Sequence, residues 1–176
     1  MPYSYKLDNR KTGVKKFIDR LMGIYDDSIR SSNPSWKAGR RMFKNRYEYK
    51  DKDVSGFKPE LIDHEQNEAV ARHVLGHASV LLAGRGFDNA NKLDIIPSRR
   101  DIGELIGYGI SGIAQIMDIG QKFWPIGDKD HIRGQANVEI LNDYIARDIA
   151  NAFTRAYKGK YSREQLRRKL FRLLSQ

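Results

Sequence analysis

At 176 residues the chain has the usual size of one domain and can bury a core without metal or disulfide staples. Cysteine is absent, which excludes disulfides, thiol nucleophiles and thiolate metal sites and leaves either redox compartment open. A net charge of +10 and a pI near 9.8 point toward an anionic partner, but the charge is unevenly distributed. Residues 1–58 hold 15 Lys/Arg against 7 Asp/Glu, residues 59–154 hold 9 against 14, and residues 155–176 hold 8 against 1. Two basic ends thus bracket an acidic middle. Either the ends fold against that acidic centre, or they hold a polyanion such as nucleic acid, lipid head groups or cell-wall polymer.

The opening MPYSYKLDNRKTGVKKFIDRL is charged throughout and lacks an apolar stretch followed by a small-residue cleavage site, so no secretory signal is expected. The implied route is synthesis in the cytoplasm, with any export through a signal-independent secretion apparatus. Val14, Phe17, Ile18, Leu21, Ile24, Tyr25 and Ile29 then recur at helical spacing opposite Lys15, Lys16, Asp19 and Asp26, predicting an amphipathic helix. The next helix, in NPSWKAGRRMFKNRYEYK, has Ser35 as its expected cap after Pro34. It interleaves Trp36, Met42, Phe43 and Tyr47 with Lys37, Arg40, Arg41, Lys44 and Arg46. Such aromatics can stack bases beside phosphate-binding cations. The commoner arrangement turns the rings to the core and the charges to water.

A third helix is predicted from about Pro59 to Ala83, with Gly84 and Gly86 as its stop. After a loop with a cap candidate at Ser98 and Asp101, the apolar segment IGELIGYGISGIAQIMDIG reads as a buried helix whose glycines admit close neighbours. It is too short and interrupted for a transmembrane span. Its weakest functional reading is insertion into membranes as a pore former. Gly107, Gly109 and Gly112 match the dinucleotide spacing, but the required strand and downstream acid are missing, which excludes that fold. A loop with Trp124, Pro125 and His131 leads to a long helix from Ala136, followed by a basic terminal helix capped by Ser162. No strand pattern or internal repeat is visible. The expected fold is an all-α, single-domain helical bundle with a glycine-dotted buried central helix and basic terminal helices. Residues 1–58 form its basic helical N-terminal region, and 59–176 its helical core with the basic C-terminal helix.

Val70, His73, Val74, His77, Val80 and Leu81 fall on one helical stripe, which places both imidazoles among aliphatics, with Arg72 one step round. A buried imidazole needs hydrogen-bond partners, and the helix from Ala136 offers Glu139, Asn142 and Asp143 beside its apolar stripe of Val138, Leu141, Ile145, Ile149, Ala152 and Ala156. Packing of the two helices would bring acid to imidazole, the arrangement a general acid or base requires. The plainer reading is a polar network that fixes helix register. His73 and His77 also have the spacing of helical metal ligands, with Glu139 or Asp143 as a third, so a divalent metal is a candidate cofactor. Val74 stands where zinc helices carry glutamate.

At these residues the sequence resembles an uncharacterised all-helical bacterial domain family found in exported and toxin-like proteins. EAVARHVLGHASVLL, with Glu68, Arg72 and His73, is similar to the family's first motif; DHIRGQANVEILNDYIARDI, with His131, Glu139, Asn142, Asp143 and Arg147, is similar to the remainder. Leu141, Asp143 and Ala146 replace its histidine, second asparagine and glycine. The resemblance implies a site assembled from Arg72, His73, His131, Glu139, Asn142 and Asp143 and a role in bacterial antagonism, where an immunity protein would be a partner.

Two functions are expected on these grounds. The first is an effector-like hydrolase in which His73 or His131 is the general base, Glu139 or Asp143 orients it or holds a metal or water, and Arg72 binds a substrate oxygen. Its polyanionic target would be held by Lys37, Arg40, Arg41, Arg167 and Arg168. The alternative is a non-enzymatic nucleic-acid or partner-binding module in which those cations, with Arg172, do the work and the central network is structural.

Overall fold

The computed structural model describes residues 12–48, 53–63, 68–69, 71–90 and 144–176. The segment 102–120 with its spaced glycines, the Ser98 cap, the loop carrying Trp124 and His131, and residues 136–143 lie outside the described residues.

Helix α1 spans Thr12–Ser28, and its expected stripe of Val14, Phe17, Ile18, Leu21, Ile24 and Tyr25 is buried. Ile29, the last member of the predicted stripe, falls beyond the helix and is exposed. The start of α1 is capped from far along the chain. Gly13 N–H donates to Ser55 Oγ at 2.8 Å and Val14 N–H to the Ser55 carbonyl at 2.9 Å. Thr12 Oγ1 and Ser55 Oγ in turn donate to Asp53, placing a carboxylate at the positive end of the helix dipole. A Cβ at position 13 would overlap the Asp53 carbonyl, which is why glycine stands there.

Helix α2 spans Pro34–Glu48. Its cap is Asn33 and not Ser35: Asn33 Oδ1 accepts from Trp36 N–H at 3.2 Å, and Pro34 takes the first helical position, where a missing N–H costs nothing. Ser35 is instead buried inside the first turn.

The third helix departs from expectation at both ends. Pro59 opens only a 3₁₀ turn, Pro59–Leu61, followed by β1 (Ile62–Asp63), which pairs antiparallel with β2 (Glu68–Ala69) through two residues each. Helix α3 then runs Ala71–Ala90, straight through Gly84 and Gly86. Gly86 serves close packing instead of termination. A Cβ there would lie 2.5 Å from Trp36 N, and Asn33 Nδ2 donates to the Gly86 carbonyl at 2.7 Å. At Gly39 a Cβ would lie 2.7 Å from both Ser79 O and Ala83 N, while the Arg46 side chain covers Gly76. Helices α2 and α3 are therefore antiparallel and touch nearly backbone to backbone.

Helix α4 is helical through 144–157 and α5 spans Arg163–Leu174. Between them Gly159, at φ 69°, allows Lys160 N–H to reach the Arg155 carbonyl and Gly159 N–H that of Ala156, the paired bonds of a glycine helix stop. Ser162 caps α5 as predicted, in a reciprocal box with Gln165. Leu166, Leu170 and Leu174 of α5 are buried. Arg163 and Arg167 tie its other side to Asp26 and Asp19 of α1. The segment 56–58 pairs with the end of α5 through Lys58 N–H to the Leu174 carbonyl and Gln176 N–H to the Gly56 carbonyl.

These five helices line one hydrophobic core, and the molecule is an all-α single-domain bundle. Tyr25 stacks on Tyr157 with ring centroids 5.4 Å apart, and Phe153 meets both rings edge-on. The buried Ser28 hydroxyl bonds the Tyr157 hydroxyl at 2.5 Å and sits within reach of the Ile24 carbonyl at 2.7 Å, closing the bundle where α1 and α4 end.

Candidate polyanion-binding surface

The close approach of α3 decides which side chains α2 can turn outward. Ser35, Ala38, Gly39 and Met42 fill its inner side, where the backbones leave no room for a ring. Trp36 and Phe43 lie on the margin of that side, with the Trp36 Cβ against Gly86 and the Arg46 guanidinium reaching both the Phe43 ring and Gly76, while Arg40 and Lys44 turn further out. Trp36 is 43% exposed and Phe43 44%, which corrects the expectation that the aromatics of this helix face the core. Met42 alone of the described large residues behaves as expected. The guanidinium of Arg46 lies over the Phe43 ring, 4.1 Å from its centroid, a cation–π contact that covers one face of the ring with positive charge.

The cations expected to hold a substrate fall into two groups. Lys37, Arg40 and Arg41 are neighbours on α2, with Arg40 exposed and Lys37 half-buried. Arg41 is also exposed and reaches Asp27 at 3.4 Å. Arg167 and Arg168 belong to α5, where Arg167 donates to Asp19 at 2.6 Å and Arg168 to Glu164 at 3.2 Å. Arg163 grips Asp26 with two hydrogen bonds, of 2.8 and 2.7 Å, and holds that carboxyl below the usual carboxylate range. Among the described residues, Asp19 and Asp26 of α1, within the basic first third of the chain, thus meet the basic end.

Arg72 and His73 are exposed and His77 is half-buried, in contrast to the dry stripe predicted for the imidazoles. Val74, Ala78 and Leu81 are buried, whereas His73 and His77 sit at the edge of that face, rotated away from the side that packs. The turn from 73 to 74 is about 100°, enough to separate a core residue from a wet one. Among the described residues no three His, Asp or Glu side chains gather as a metal site. The proposed third ligands Glu139 and Asp143 lie outside the described residues, as do His131 and Asn142.

Among the contacts not anticipated from the sequence, Arg147 places its guanidinium 4.8 Å from the ring centroid of Tyr144, itself 53% exposed. The spacing of three on a helix is its only sequence signal. No described helix is long and apolar enough to cross a membrane. Compared with known protein families, with curated proteins and with solved structures, the chain gives no match in any of the three.

Proposed function

We propose that this protein is a polyanion-binding helical module whose contact surface is the exposed margin of α2. The observation that carries this reading is the exposure of Trp36 and Phe43 among Arg40, Lys44 and Arg46 on a helix held rigidly by its backbone contact with α3. Rings left 43% and 44% exposed give up part of the stabilisation that full burial would bring, which is about 1.5–3 kcal/mol for a large apolar side chain. Their placement beside cations gives them a ligand-facing use. Electrostatic contacts of this kind release counterions, so binding should weaken linearly in log Kd against log salt. Titration of the protein against fluorescent oligonucleotides, polyphosphate and anionic vesicles across a salt series tests it. Binding that is undetectable, or indifferent to salt, refutes it.

A second reading, an effector-like hydrolase acting on such a polymer, has its own support. That support is the sequence pattern: Arg72 and His73 fall on α3, whose Arg85 donates to Asn151 and Thr154 of α4, and Glu139, Asn142 and Asp143 precede α4 in the chain. In this reading Arg72 binds a substrate oxygen, His73 or His131 takes a proton, and Glu139 or Asp143 orients the base or holds a divalent ion. Its test is hydrolysis of nucleic acid, phospholipid and cell-wall polymer with and without chelator. If His73→Ala and Glu139→Ala proteins, folded by circular dichroism, keep full activity, the assignment is wrong.

A further inference from the structure

Resting on the polyanion-binding reading, we infer that the ligand class of the α2 surface is single-stranded nucleic acid, with bases stacked on Trp36 and Phe43 and phosphates held by the cations between them. Phosphate-rich polymers and lipid head groups need only positive charge. A row of lysines and arginines would serve them, and two large, partly exposed rings would add nothing. A duplex hides its base faces in the helical stack. Only a ligand that offers free aromatic faces alternating with phosphates uses both halves of this surface.

The spacing on α2 suits such a ligand. Trp36 and Phe43 are two helical turns apart, about 10 Å at 1.5 Å per residue, so their rings are separate platforms on one side of the helix. Arg40 lies between them along the helix and, with Lys44, turns further out. The Arg46 guanidinium lies over one face of the Phe43 ring, so a base stacks on the ring's other face or on the guanidinium plane itself, with a positive charge held at the platform in either case. The platform is also preorganised. The Trp36 backbone rests against Gly86, and Asn33 joins the cap of α2 to the Gly86 carbonyl, so the helix does not have to be ordered by the ligand.

The test uses the full chain and three probes: a fluorescent oligo(dT), a duplex of equal length, and inorganic polyphosphate as competitor. Oligo(dT) should bind at least tenfold more tightly than the duplex at equal salt. Trp36→Ala with Phe43→Ala should weaken oligo(dT) binding about tenfold or more, while polyphosphate binding stays within twofold. Trp36→Phe should retain most of the affinity, because a ring of either kind stacks. Thermal melting of each variant verifies that the bundle is intact. Equal affinity for duplex and single strand, or folded ring variants that lose no oligo(dT) affinity, overturns the single-strand inference and leaves the polyanion reading standing. Absence of binding to all three probes overturns both.

Discussion

Arg167 of the basic terminal helix donates to Asp19 of α1 at 2.6 Å, so a residue rich in promise as a phosphate ligand is engaged within the protein's own fold. Arg40 of α2, by contrast, is exposed beside two exposed rings. Arg40→Ala should therefore reduce the salt slope of polyanion binding by about one and weaken affinity across all sequences alike. Arg167→Ala should leave binding within about twofold. Anisotropy titrations at several salt concentrations measure both slopes, and the reverse ranking would move the binding surface from α2 to α5.

The contact of Gly39 with Ser79 and Ala83 predicts opposite outcomes for two glycines. Gly39→Val inserts carbon where backbone already stands, and overpacking should cost about 1–3 kcal/mol or more. Gly23, exposed in the interior of α1, has nothing within 4 Å of the place a methyl group would take, so Gly23→Ala should stabilise by about 0.5–1 kcal/mol. Urea denaturation of both proteins decides the point; equal effects would show that α2 and α3 can move apart cheaply.

Tyr157 has its phenol pushed above the ordinary value, chiefly by burial, with the Ser28 hydrogen bond acting the other way and Tyr25 adding to the rise. The unfolded chain loses this proton near pH 10, so folding stability from Tyr157 is intact below that pH and declines as the medium becomes more alkaline. Tyr157→Phe should cost about 1 kcal/mol at pH 7, where the bond to Ser28 is lost, and should flatten the decline above pH 10. Chemical denaturation between pH 7 and 11 reads both effects.

Asp53 behaves in the opposite sense. Hydrogen bonds from Ser55 and then Thr12 hold its carboxyl below the usual range. Its contribution is therefore present above the unfolded pKa of about 3.9 and disappears as pH falls through the lower folded value. Asp53→Ala should destabilise by about 1 kcal/mol at pH 7, as loss of a helix cap does, and the gap between the two proteins should close in acid. A gap that is constant from pH 7 down to pH 2 would mean that the charge at the start of α1 is idle.

Much of the architecture is legible in the one-dimensional pattern. The apolar spacing of α1, the Ser162 cap of α5 and the all-helical class follow from local periodicity and side-chain chemistry, which need no knowledge of neighbours. The limits of α3 are not legible in the same way, because a glycine carries two meanings. Gly86 could end a helix or admit another one, and only the presence of Trp36 against it distinguishes them. Asn33 and Ser35 compete as caps of α2, since both flank the start of the same helical run and both residue types are good caps; the hydrogen bond to Trp36 N–H selects Asn33. The candidate site is less legible still: Trp36 and Phe43 are visible as ring-bearing neighbours of cations, yet their direction cannot be read from spacing alone.

What the amino-acid order determined by itself is the set of amphipathic segments, since a helix of period 3.6 with one apolar stripe has few ways to hide it. What tertiary structure alone decided is which residues of each stripe's margin stay wet. The small side chains of α2 and α3 let two backbones meet, that contact took the space a ring would have filled, and Trp36 and Phe43 were left facing solvent beside Arg40. Likewise the pairing of Arg163 and Arg167 with Asp26 and Asp19 links positions far apart in the chain, and charge counts along a sequence carry no information about which of them will touch.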